Sequence, residues 1–287
     1  MKMPIKLLLH GVLILLMTCS ALAIEIKLPV SSEHAQRDAF QIGLLKLALN
    51  KTGVKYHITK SPQTRTQSRI FNDLKRGSEQ INLYWMGTSP EYEKALLPIR
   101  FPVYRGLLGH RIFIIHKDTQ ANFDNVKTLS ALQKYMGAQG IGWTDIEILE
   151  HSGLKQHITA YENIFKMINR GGRVDYFSRG VSEAFMEVNS RKEQLPNLEV
   201  EKKILLVYPF AMLFFTSRTN IELKEILEDG FRKAYEDGSF NNYFYNHPDI
   251  KKIFEKANLQ QRVKINIPNP FLTKETINIP DKYWHGR

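Results

Sequence analysis

Apolar and charged positions alternate from Ile24 to Pro29, which predicts a strand with one covered face. Phe40, Leu44 and Leu47 then share a stripe that predicts a helix ending at Gly53. Val54, Tyr56 and Ile58 alternate with Lys55, His57 and Thr59 as a second strand. A polar helix from about Thr64 to Arg76 stops at Gly77, and Ile81 to Met86 reads as a more continuous apolar strand. The resulting β-α-β-α-β order predicts an α/β fold, an open sheet with helices on its faces.

A second set of units follows a stretch carrying Pro90, Pro98 and Pro102. His110 to His116 reads as a largely buried strand, followed by a helix near Leu129 to Met136 and a short strand Gly140 to Trp143. Tyr161, Ile164, Phe165 and Ile168 recur at helical spacing and stop at Gly171-Gly172. Arg173 to Ser178 is a strand, and Val181, Ala184, Phe185 and Val188 repeat the helical offsets. Ile204 to Tyr208 and Ala211 to Thr216 form two strand-like runs around Pro209. The next helix carries Leu223, Ile226, Leu227, Phe231 and Ala234, with Gly230 inside it as a position expected to bend or shorten it. The last thirty residues contain Pro268, Pro270 and Pro280 and are expected to pack as an extended tail. No Gly/Ser linker separates the two sets of units, so the chain is expected to pass between them through strands that act as a hinge.

The N-terminus changes where this chain is expected to work. A basic start with Lys2 and Lys6, an apolar run from Leu7 to Met17 and the exit Ala21-Leu22-Ala23 match a secretory signal, with cleavage after Ala23. A membrane span would need about twenty apolar residues; a short N-terminal anchor helix is the alternative. Cleavage removes Cys19, the only cysteine, so neither a disulfide framework nor thiolate chemistry is expected. The chain is expected to be exported, and stability must come from an ordinary core, which 287 residues can supply.

The charge balance, 40 Lys plus Arg against 29 Asp plus Glu, favours acidic partners in principle. The basic residues are scattered, with no run of five, whereas nucleic-acid binding would want a stripe; none is expected. Walker, Rossmann, His-Glu-x-x-His and Gly-x-Ser-x-Gly patterns are all missing, which argues against the commoner enzymes. His110 and His116 would lie about 20 Å apart along a strand, and His151 and His157 about 240° apart around a helix. No metal site or cofactor is therefore expected. Tyr84-Trp85, Trp143 and Tyr176-Phe177 fall near the ends of expected strands, where open α/β sheets bind ligands, although core packing explains such aromatics as well.

The order and spacing of several weak segments carry a resemblance: the first strand and helix from Ile24, Gly87-Thr88-Ser89-Pro90-Glu91, Pro102-Val103-Tyr104 before the strand Arg111 to Ile115, and Gly172-Arg173-Val174-Asp175. Over nearly the whole chain after the signal, the sequence resembles the periplasmic solute-binding proteins of family 3, the polar amino-acid receptors of ABC transporters. The resemblance implies a Venus-flytrap fold of the periplasmic-binding-protein-like type II. Lobe 1 would be 24–112 and 213–287, lobe 2 would be 116–206, and two crossing strands near 112–116 and 206–213 would join them. Trp85, Gly87 and Thr88 fall where these receptors line the first wall of the cleft, and Gly142, Trp143 and Thr144 where a helix start meets the ligand in the second.

Two positions depart from the family. Tyr92 stands in place of the arginine that clamps an α-carboxylate, and Gly180 in place of the aspartate that pairs with an α-ammonium. Without both anchors a zwitterionic head group has no buried partners. Arg179, Arg105 and Arg111 suggest a basic cleft, so the expected ligand is small and polar or anionic, held by Arg179 between Trp85 and Trp143. The competing reading of Arg179 is a surface ion pair with Glu183 at i+4. The implied role is a non-catalytic, monomeric receptor delivering solute to an ABC permease or a membrane sensor. The alternatives are a dehydratase-like enzyme using Asp145 or Glu183 as acid, and an interaction module that has lost ligand binding.

Overall fold

A computed structural model describes residues 23–31 and 38–285; the expected signal segment lies outside the described residues apart from Ala23. The first lobe begins with β1 (Ile24–Ser31), α1 (Ala39–Thr52), β2 (Tyr56–Arg65), α2 (Gln67–Lys75), β3 (Tyr84–Gly87), α3 (Pro90–Ala95) and β4 (Leu96–Ile99). β1 and β2 pair in parallel. β3 is shorter than the apolar run that announced it because Asn82 serves β1 with its side chain. Its Nδ2 donates to Glu25 O at 2.7 Å and its Oδ1 accepts from Lys27 N at 2.7 Å. The polar side chain thus replaces part of a backbone ladder.

The chain enters the second lobe through β5 (His110–His116). There follow α4 (Gln120–Asp124), α5 (Leu129–Leu132), β6 (Gly137–Gly140), α6 (Ile146–His151), β7 (Gln156–Thr159), α7 (Tyr161–Arg170), β8 (Tyr176–Gly180), α8 (Ala184–Arg191), β9 (Leu198–Val200) and β10 (Ile204–Val207). It returns through β11 (Met212–Ser217), which lies between β3 and β4, and continues as α9 (Ile221–Glu236), α10 (Ser239–Asn246) and α11 (Pro248–Ala257). β12 (Val263–Asn266) and α12 (Lys274–Ile277) lie in the tail.

The tail departs from the expected division of the chain. β12 joins the second lobe's sheet, pairing in parallel with β10 from Ile204↔Val263 to Val207↔Asn266. Beyond it the chain goes back to the first lobe, where Thr273 and Thr276 donate to Glu93 at 2.7 and 2.6 Å. Residues 213–287 therefore do not all belong to the first lobe.

α9 also differs from expectation, running unbroken through Gly230. A Cβ at Gly230 would sit 2.2 Å from Ala48 O and 2.7 Å from Ala48 C, so the glycine exists for the close approach of α1. Gly230→Ala is expected to destabilise the protein by about 1–3 kcal/mol through overpacking, although alanine is the better helix former by about 1 kcal/mol. Urea unfolding of the variant measures the balance, and a stabilised variant would contradict the packing account.

Candidate functional site

Three segments build a cavity between the lobes. β3 ends at Gly87, where Ser89 caps α3 by accepting from Tyr92 N at 3.2 Å, so the chain turns sharply beside the cleft. The turn after β6 presents Trp143, Thr144 and Asp145. β8 presents Arg179, and Glu183 lies just before α8. With Gln67, Leu108, Arg111, Phe210 and Met212 these line a cavity of about 40 Å³. A single water needs about 10–15 Å³ by this measure, so the present conformation holds a few waters and no amino acid.

The walls touch directly. Thr144 Oγ1 donates to Gly87 O at 3.2 Å and Tyr92 OH donates to Gly142 O at 3.3 Å. A Cβ on Gly87 would meet Phe210 Cζ at 2.3 Å and Thr144 Oγ1 at 2.9 Å, so no larger residue fits where the lobes close. Tyr92 stacks on Phe71 with ring centroids 4.5 Å apart, and its hydroxyl bridges the lobes.

The cavity floor is a buried charge network. Arg179 donates to both carboxylate oxygens of Glu187 at 2.8 Å and lies 3.0 Å from Glu183 Oε1. Its guanidinium packs over the Trp143 ring at 4.4 Å and the Phe177 ring at 5.0 Å from the centroids. Burial would lower its pKa, but the charges of Glu183 and Glu187 hold it above the ordinary arginine value. Arg111 donates to Asp145 Oδ2 at 2.9 Å, and Tyr208 OH and Gln139 Nε2 donate to the same oxygen at 2.9 and 3.2 Å. Burial pushes the Tyr208 hydroxyl well above its usual pKa, with Arg111 opposing, so it stays a donor.

Of the sequence-derived candidates, Trp85, Gly87, Trp143, Thr144 and Arg179 come together around the cavity. Arg179 is only 2% exposed, so the expectation of a surface ion pair with Glu183 is corrected: the contact exists but is internal. The basic cleft is corrected too, because two guanidiniums, Arg111 and Arg179, face three carboxylates, Asp145, Glu183 and Glu187. Thr88 turns away, its hydroxyl donating to Glu93 Oε1 at 2.5 Å and tying the turn to the tail. Arg105 lies outside the cleft and holds the C-terminal segment, donating to Lys282 O and Trp284 O at 3.0 Å.

Sequence reading did not find Glu187, Gln67, Phe210 or Met212 as parts of this site. Glu187 had no signal, since residues eight apart along one helix or strand are too distant to touch, and the contact depends on how α8 packs on β8. Among the described residues no cluster of histidine, cysteine and carboxylate side chains could hold a metal. Trp85 Nε1 is a buried donor with no acceptor among the described residues.

No family model and no curated protein matches the chain. Solved structures do. A mutant of ArgBP from T. maritima is 19% identical with a TM-score of 0.55, over 81% of this chain and 96% of that one. An ancestral arginine-binding protein bound to glutamine is 15% identical with a TM-score of 0.56, over 79% and 99%. An amino acid ABC transporter substrate-binding protein from Streptococcus pneumoniae, bound to L-arginine, is 15% identical with a TM-score of 0.55, over 80% and 94%. The expected architecture is thereby confirmed: the chain has the two-lobed α/β fold of these amino-acid-binding proteins.

Proposed function

We propose that the chain is a non-catalytic receptor whose lobes close on a small polar solute outside the cytoplasm and present it to an ABC permease or a membrane sensor. The observation that carries this reading is the cavity walled by both lobes and shut by the Thr144–Gly87 and Tyr92–Gly142 hydrogen bonds. A solute enters only when those two bonds break, and its binding energy then drives closure. Among the described residues no helix is long and apolar enough to cross a membrane.

The network narrows the solute. With two cations against three anions, all buried, a further anion meets unfavourable charge, whereas a neutral polar group or a cation does not. The preference for an anionic ligand is therefore replaced by one for a neutral or cationic ligand offering an acceptor to Trp85 Nε1. The dehydratase alternative has no supporting observation: Asp145 already accepts from three donors on one oxygen, and Glu183 accepts from Gly180 N at 3.0 Å while lying against Arg179.

The small closed volume favours one second reading, an interaction module whose cleft is filled by its own side chains. A thermal-shift screen of neutral and cationic amino acids, amines and short peptides separates the two. A true solute at a hundredfold excess over its Kd adds about 2.7 kcal/mol of stability. A flat response across the screen, together with no small molecule found by native mass spectrometry of the purified protein, would leave the module reading standing.

A further inference from the structure

A larger cavity lies behind the cleft. It measures about 320 Å³, and its wall is drawn from both lobes and from the crossing between them. The turn before β5 contributes Arg105, Gly106 and His110. The crossing contributes Val207, Tyr208, Pro209 and Phe210, β12 contributes Lys264 and Asn266, and the C-terminal segment contributes Trp284 and His285. Phe210 lines this cavity and the cleft alike.

Its chemistry is one-sided. Arg105, His110, Lys264 and His285 line it, and among the described residues no carboxylate side chain does. Lys264 is exposed and has no carboxylate partner among the described residues, while two buried polar atoms, Arg105 Nε and His110 Nδ1, have no hydrogen-bond partner there. Unsatisfied buried polar atoms are rare in folded proteins and call for an explanation. The backbone around them is also unusual: Arg105 has φ 52 and Gly106 φ 81, so a non-glycine residue is held left-handed where the turn enters the hinge. Trp284, Phe210, Val207 and Ile267 supply the apolar part of the lining.

We propose that this hinge cavity binds a small carboxylate with an apolar body, its charge facing Lys264, His285 and the free Arg105 Nε–H and its body against Trp284 and Phe210. The volume falls in the range of small-molecule sites, about 300–1,000 Å³. Burial pushes His110 down to about 4, with the Gly106 backbone opposing, and burial and the Arg105 charge also lower His285, so both rings are neutral and the fixed positive charges of the cavity are Arg105 and Lys264. The groups facing the His110 ring are Arg105, Lys264, His285 and the un-ionised Tyr208. Because the lining residues belong to both lobes, the bound acid bridges them, and it does so whether or not the cleft accepts a solute.

The test uses the full chain and benzoate as probe, with benzyl alcohol as its uncharged counterpart. Benzoate is expected to bind by calorimetry, at least tenfold more tightly than benzyl alcohol, and to shift the His110 ring signals in NMR. Lys264→Gln, an exposed position whose melting temperature is expected to stay put, should weaken benzoate at least tenfold. Equal binding of the alcohol, unaltered benzoate binding to the Lys264→Gln protein, or no benzoate binding at millimolar concentration would each overturn the site. Failure of the cleft reading is distinguishable, because a cleft solute binds parent and Lys264→Gln protein alike.

Discussion

Arg179→Met is expected to cost about 3–5 kcal/mol of folding stability, because it strands Glu187 and Glu183 as buried charges without their main cation. Glu187 is 2% exposed and would keep the Tyr161 hydroxyl, at 2.6 Å, as a neutral donor in place of the lost guanidinium. The double variant Arg179→Met with Glu187→Leu is expected to recover most of that loss. Replacing a buried pair by apolar groups of similar size is often neutral or stabilising by about 1–4 kcal/mol, and Trp143 and Phe177 offer the new side chains an apolar bed. Urea unfolding of the two single variants and the double gives the cycle. A single variant that loses less than about 1 kcal/mol would mean that the network is hydrated in solution and that Arg179 is available to a ligand after all.

Gly109→Ala is expected to have the other large effect, on the order of 3 kcal/mol, concentrated at the hinge. A Cβ there would lie 1.9 Å from Tyr208 O and 3.1 Å from Phe210 N, and both contacts are backbone, which cannot rotate away. The only relief is to separate the two crossing segments. That breaks the bond from Tyr208 N to Gly109 O, now 3.0 Å, and loosens the pairing of Leu206 with Arg111 and Val207 with His110. Thermal unfolding measures the loss, and small-angle scattering is expected to show a wider separation of the lobes. An unchanged scattering profile with an unchanged melting temperature would show that the hinge tolerates the extra carbon.

How much of this was legible beforehand depended on whether a residue's environment is local. β5 was read to the residue because Ile112 to Ile115 form an unbroken apolar run with histidines at each end, and α7 was read because its apolar spacing is strong. α10 and α11 escaped notice: Ser239–Asn246 is rich in asparagine and tyrosine, and α11 starts at a proline, which reads as a break although it is favoured in the first turn. β6 lies three residues earlier than expected, since Gly137–Gly140 is a strand of small and polar residues whose burial comes from its neighbours.

The site divides along the same line. Gly87 and Thr144 were assigned to opposite walls by the resemblance to the solute-binding family, and the structure brings them into contact across 57 positions of sequence. Arg179 was found without its principal partner. Arg105 was misplaced because its left-handed backbone turns the side chain toward Asn241 and Tyr245, to which it donates at 3.0 and 2.8 Å. Side-chain direction at such a turn is set by tertiary packing, which the sequence pattern does not encode.

The return of β12 to the second sheet alters the mechanics of the clamshell. A chain that merely crossed out and back would leave the jaws free to swing until their own surfaces collided. Here the segment from Ile267 to Thr273 is a tether fixed at one end by the β10 ladder and at the other by the Glu93 carboxylate. If the lobes open as proposed, its contour length limits the gape, and cutting that short stretch with a protease is expected to widen the travel of the jaws without removing a wall of the cleft.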